Sequence, residues 1–116
     1  MKTERNPADY LADILDASGK ISNVISGLDS AQFAADEKTF FAVIRGLEII
    51  GEAAWKIPPC VREKHPQIPW REITGMRDKL IHDYMGVNVT VVWKTVTEDL
   101  AALEIQIHRI LNELGD

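Results

Sequence analysis

Apolar residues along the chain recur at three- and four-residue steps, the repeat expected of helices that each bury one face. Leu11, Ile14, Leu15, Ile21, Val24, Ile25 and Leu28 form a first stripe. It follows Asn6-Pro7, an N-cap residue with proline at the first helical position. A second stripe, Phe40, Val43, Ile44, Leu47, Ile50, Ala54 and Ile57, begins after Asp36 as a candidate cap and is stopped by Pro58-Pro59. The proline-rich stretch PPCVREKHPQIP, residues 58–69, reads as a connector with room for one short helix. A third helix is expected from Pro69-Trp70 through Ile73, Met76, Leu80, Ile81 and Tyr84, ending near Met85-Gly86. Asn88 is placed to cap a fourth, whose stripe runs Val89, Val92, Trp93, Val96, Leu100, Leu103, Ile107, Ile110, Leu111 and Leu114. The β-branched run VNVTVV belongs to that stripe, so no strand is expected. The pattern therefore predicts an all-α, up-and-down bundle of four main helices plus a short connector helix.

Gly46 and Gly51 interrupt the second stripe, and each costs about 1 kcal/mol relative to alanine inside a helix. With Ala42, Gly46 gives one turn a smooth surface, suited either to close packing against a neighbouring helix or to contact with a second subunit.

Composition narrows the picture. A chain of 116 residues, 46% hydrophobic and 27% charged, suits a single folded domain spanning 1–116. One cysteine, Cys60, excludes an internal disulfide and fits a reducing cytoplasm. No apolar run approaches the ~20 residues that a membrane span needs, and MKTERNPADY lacks a signal-peptide core. The formal net charge of −5 argues against a nucleic-acid binder only when taken over the whole chain. Residues 1–36 hold three Lys/Arg against six Asp/Glu, residues 37–85 eight against seven, and residues 86–116 two against five. An anionic ligand is therefore expected at the balanced centre.

That centre contains the densest set of reactive side chains, Met76-Arg77-Asp78-Lys79-Leu80-Ile81-His82-Asp83-Tyr84. At ~100° per residue, Arg77 and Tyr84 fall on nearly one line that overlaps the apolar stripe of Ile73, Leu80 and Ile81. The arginine is thus expected to be partly buried and to need a partner or an anionic ligand. Asp78 and His82 share a different face, where the carboxylate can orient the ring. Arg77 and His82 stand about 140° apart, so one straight helix does not bring them into one compact site. Histidine serves as general acid or base near neutral pH, and arginine holds phosphate and stabilises charge developing on it. The pair suits cleavage of RNA by attack of its own 2′-hydroxyl, but from the residues alone a surface ion-pair cluster with a capping histidine is the stronger reading.

The remaining candidates are weaker. His65 and His108 lack ligand spacing, Cys60 has no adjacent base, and no glycine-rich phosphate loop is present, so no metal or cofactor is expected. Arg45, Glu48, Glu52 and Lys56 read as a solvated ion-pair face, and Trp55, Trp70 and Trp93 as core or interface.

RDKLIHDY resembles the Arg-x4-His-x-Tyr signature of the HepT-like toxins, a branch of the HEPN superfamily of helical nucleases. AVIRGLEIIGEAAWKIP, PQIPWREITGMRDKLIHDYMGVN and VVWKTVTEDLAALEIQIHRIL agree with it, so the similarity spans about residues 8–112. The resemblance implies a HEPN-type bundle that forms a homodimer and sets two copies of the motif at a shared cleft. It implies a metal-independent endoribonuclease toxin with Arg77 and His82 as the catalytic pair. It also implies a small nucleotidyltransferase antitoxin of the MntA type, which transfers AMP onto the motif tyrosine, here Tyr84. Asp78 replaces the asparagine common after the motif arginine; it can support His82 but adds a negative charge where RNA phosphate approaches. Lys79 is a further candidate for contact with RNA. The alternative is a non-catalytic HEPN module that binds nucleotide or presents substrate to a partner nucleotidyltransferase.

Overall fold

Side-chain caps at Asn6, Asp29, Asp36 and Asn88 fix four of the helix starts. In the computed structural model, which describes residues 5–82 and 86–115, α1 runs Pro7–Ile25 behind a reciprocal capping box. There the Asp9 N–H donates to Asn6 Oδ1 (3.2 Å) and the Asn6 N–H to Asp9 Oδ2 (3.0 Å). Gly27, at φ 82°, turns the chain into α2 (Ser30–Ala35), a short helix that the hydrophobic pattern does not announce. Its own capping box, Asp29 with Gln32, and the buried Phe33 hold it in place. Asp36 then caps α3 (Glu37–Lys56), which ends at the two prolines as expected. The connector forms α4 (Pro59–Lys64), and α5 spans Trp70–His82.

The expected fourth helix is built in three pieces: α6 (Val89–Lys94), a π-helical turn over Thr95–Asp99, and α7 (Leu100–Gly115). Asn88 caps it, accepting the Val91 N–H at 3.2 Å. The threonine hydroxyls explain the turn. Thr95 Oγ1 donates to the Val91 carbonyl (3.0 Å) and Thr97 Oγ1 to that of Trp93 (2.7 Å). These bonds compete with the backbone for the i−4 carbonyls, and the Thr95 N–H is shared between Val91 and Val92.

α3 is the centre of the bundle and runs antiparallel to both neighbours. On one side Gly46 faces Ile21 of α1; on the other Gly51 faces Ile73 and Arg77 of α5. α7 closes over α1, where the buried Ser18 hydroxyl donates to Glu104 at 2.5 Å. The last helix returns antiparallel to α5, with Val91 beside Leu80 and Gln106 beside Pro69. The core comprises Leu11, Ile14, Ile21, Val43, Leu47, Ile50, Leu103, Ile107 and Ile110 with their neighbours. Four residues of the expected stripes or core fall outside it. Val24, Ile81 and Leu114 are exposed near helix ends, and Trp55 is 63% exposed. No strand occurs among the described residues, and no helix there is long and apolar enough to cross a membrane.

Candidate active site

Arg77 owes its position to a glycine two helices earlier in the chain. A Cβ at Gly51 would stand 2.5 Å from Arg77 Cβ, 3.3 Å from its Cα and 3.1 Å from the Ile73 carbonyl oxygen. The missing side chain therefore lets the α5 backbone approach α3 at the arginine itself. The signal for this was in the sequence, since a mid-helix glycine is costly unless something needs the space. Gly46 performs the same service for Ile21, so both glycines are sites of close packing between helices of one chain. Ala42, by contrast, is exposed.

Seated there, Arg77 is half-buried, with 33% of its side chain exposed, and its Nη1 lies 3.2 Å from Asp78 Oδ1. The expected partial burial of the arginine and its need for a partner both hold. Asp78 turns towards Arg77; among the described residues no hydrogen bond joins it to His82. His82 is exposed at the last described turn of α5, and no hydrogen bond links it to Arg77 among those residues. Lys79 lies on a third side of the helix, beside Leu80, Val87 and Asn88, away from Arg77. Tyr84 lies outside the described residues. A single chain thus unites Arg77 with Asp78 and presents His82 separately.

The two helices that meet at Arg77 both carry exposed apolar side chains. Phe41 (59% exposed) and Trp55 (63%) are fourteen residues apart on α3 and so share one line of that helix. Ile81, 46% exposed, stands one turn beyond Arg77 on the same open side of the α3–α5 seam. Ile81 leaves the expected stripe because the seam is centred on Ile73 and Arg77, which rotates position 81 towards solvent. The other candidates have structural places. His65 Nε2 approaches Glu113 Oε2 at 3.3 Å, its carbonyl accepts the Trp70 indole N–H at 3.0 Å, and His108 and Cys60 are exposed. Arg45–Glu48 and Lys56–Glu52 form the expected ion-pair face of α3 (both 3.4 Å). No group of three His, Cys, Asp or Glu side chains among the described residues is arranged to hold a metal.

Comparison with known proteins relates the chain to a family. A family model described as "Ribonuclease HepT-like" matches residues 14–110. A protein of Thermococcus cleftensis named "Probable ribonuclease HepT" is 52% identical over 101 residues, covering 87% of this chain and 92% of its own. Proteins named "Putative RNase" are 41% identical in Caldanaerobacter subterraneus subsp. tengcongensis (94% of this chain, 97% of the relative) and 40% in Methanocaldococcus jannaschii (97% of each). No solved structure matches the chain. Most of the described bundle, including the α3–α5 seam and the seated arginine, falls inside the matched span, and the chain belongs to the HepT-like ribonuclease family.

Proposed function

We propose that this chain is a metal-independent endoribonuclease, the toxin of a toxin–antitoxin pair, and that it acts as a homodimer. The observation that carries the reading is the half-buried Arg77, fixed by the Gly51 contact, on a pair of helices that also expose Trp55, Phe41 and Ile81. Large apolar side chains left on the surface mark an interaction face. Pairing two copies there would cover them and bring two α5 helices together. Arg77 of one copy and His82 of the other then flank one cleft, which answers the ~140° separation on a single helix.

In that cleft His82 takes the proton of an RNA 2′-hydroxyl, and the freed oxygen attacks the adjacent phosphorus. Arg77 holds the non-bridging oxygens as negative charge develops on them. The 5′-oxygen leaves and accepts a proton from imidazolium, giving a 2′,3′-cyclic phosphate and a 5′-hydroxyl. The names of the relatives, the Arg-x4-His spacing and the exposed His82 all support this reading. Neutralisation is assigned to an MntA-like nucleotidyltransferase that adds AMP to Tyr84, two residues beyond His82. The added phosphate would compete for Arg77, and the adenosine would block RNA.

Arg77→Ala and His82→Ala should each abolish RNA cleavage and growth inhibition, with helical content retained by circular dichroism. Cleavage surviving in both variants overturns the assignment. Intact-mass measurement of toxin co-expressed with the antitoxin should show one added AMP, absent in Tyr84→Phe.

A further inference from the structure

Five cations of the described chain are held in ion pairs: Arg5 with Asp13, Lys20 with Asp16, Arg45 with Glu48, Lys56 with Glu52, and Arg77 with Asp78. Among the described residues, Lys38, Arg62, Lys64, Arg71, Lys79, Lys94 and Arg109 have no such partner. Two of them, Arg62 from α4 and Arg71 from the first turns of α5, line the same open depression of about 580 Å³, floored by Ile68, Pro69 and Trp70.

Helix geometry keeps these guanidinium groups unpaired. Side chains pair on a helix most readily at spacings of three and four residues, with Arg77–Asp78 the one adjacent pair among the described residues. The residues at those spacings from Arg71 are Gln67, Ile68, Thr74 and Gly75, and from Arg62 they are Pro58, Pro59, His65 and Pro66, none of them acidic. Glu63 and Glu72 also border the depression, so its lining carries two cations and two anions, but no ion pair among the described residues joins either glutamate to Arg62 or Arg71.

The direction of this site matters as much as its charge. Arg71 and His82 are eleven residues apart, within about 20° of one line along α5 and roughly 16 Å along its axis. Between them on that edge stand Gly75, which has no side chain and nothing within 4 Å of a Cβ position, and Asp78, whose charge is engaged by Arg77. A strand laid along this edge meets Arg71 at one end and His82 at the other, and passes the exposed Asp78, whose carboxylate is paired with Arg77.

We propose that Arg62 and Arg71 form a phosphate-binding subsite for single-stranded RNA, holding the strand a few nucleotides from the bond presented to His82. The inference rests on the ribonuclease reading for its ligand, and planar guanidinium forks are well matched to phosphate oxygens. Two subsite contacts supply affinity that the acidic flanks of the chain withhold.

The test uses the full-length chain carrying His82→Ala, which keeps the probe intact, and a fluorescein-labelled single-stranded RNA followed by anisotropy at several salt concentrations. Each phosphate contact on a single strand contributes about 0.7 to the slope of log K against log salt. Arg62→Gln/Arg71→Gln should therefore flatten the slope by about 1.4, a loss of roughly 25-fold in affinity at 0.1 M salt. Arg71→Gln alone, at an exposed position, should flatten it by about 0.7. Lys94→Gln/Arg109→Gln removes the same charge from the last helix and should leave the slope within about 0.2 of the parent. Equal slopes for the two double variants overturn the subsite, as does a parent that binds no RNA. Cleavage by Arg77→Ala and by His82→Ala in otherwise wild-type chains is a separate readout, so failure of the subsite and failure of the catalytic assignment are distinguishable.

Discussion

The two helix-interior glycines of α3 offer a matched pair of substitutions. At Gly46 a new Cβ meets only the side chain of Ile21, 2.6 Å from Cγ1 and 2.7 Å from Cδ1. A rotamer change can relieve that contact, at an overpacking cost of about 1–3 kcal/mol, set against about 1 kcal/mol gained in helix propensity. At Gly51 the obstruction is the backbone and Cβ of Arg77, so α5 itself must move. Gly51→Ala should reduce cleavage by at least tenfold, because misplacement of a catalytic group by about 1 Å can cost two orders of magnitude. Gly46→Ala should alter Tm by a similar amount yet leave kcat within about twofold. Melting curves and single-turnover cleavage of both variants check this, and equal losses of cleavage would reduce Gly51 to a packing residue.

Among the elements, the junction of α2 and α3 depends on Asp36. Its carboxylate accepts the Thr39 N–H (3.1 Å) and hydroxyl (2.8 Å), and its own N–H closes α2 by donating to Phe33 (3.2 Å). The Thr39 backbone and hydroxyl bonds hold the carboxyl below its ordinary value of 3.8. A carboxyl depressed in the folded state adds stability above its unfolded value and loses it as pH falls through the folded one. Asp36→Ala should therefore lower Tm at neutral pH, and the difference from wild type should shrink below about pH 3.8. Asp36→Asn retains a capping oxygen and should lose less at neutral pH. A Tm difference independent of pH would remove the carboxylate from this role.

For the molecule as a whole, the exposed face beside Arg77 decides whether the site is complete in one copy. Trp55 is 63% exposed, so Trp55→Glu should leave the monomer fold within about 0.5 kcal/mol of wild type. A specific interface of ordinary size covers about 800 Å² per partner and is most sensitive to its central aromatic residues. The substitution should accordingly yield a folded monomer by sedimentation, with cleavage lost alongside dimerisation. A fully active monomeric variant would show that one chain suffices and would withdraw the shared cleft.

What the sequence determined by itself is local. Asn6, Asp36 and Asn88 announce their helices because a cap needs only the next three residues, and Pro58-Pro59 ends α3 because proline blocks the helix within its own turn. The RDKLIHDY segment is local too, and together with the IIGEA, IPW and VW stretches it carried the resemblance to the family that comparison shows. The six residues of α2 are too few to show a repeat, and the π turn arises from threonine hydroxyls inside an unbroken apolar stripe, so neither interrupts the pattern. Tertiary structure alone decided that Gly51 faces Arg77, that Ile81 and Trp55 remain in solvent, and that Arg62 and Arg71 share one depression. Those facts depend on how helices rotate about their axes when they meet, and that rotation is set by the packing of all their faces at once.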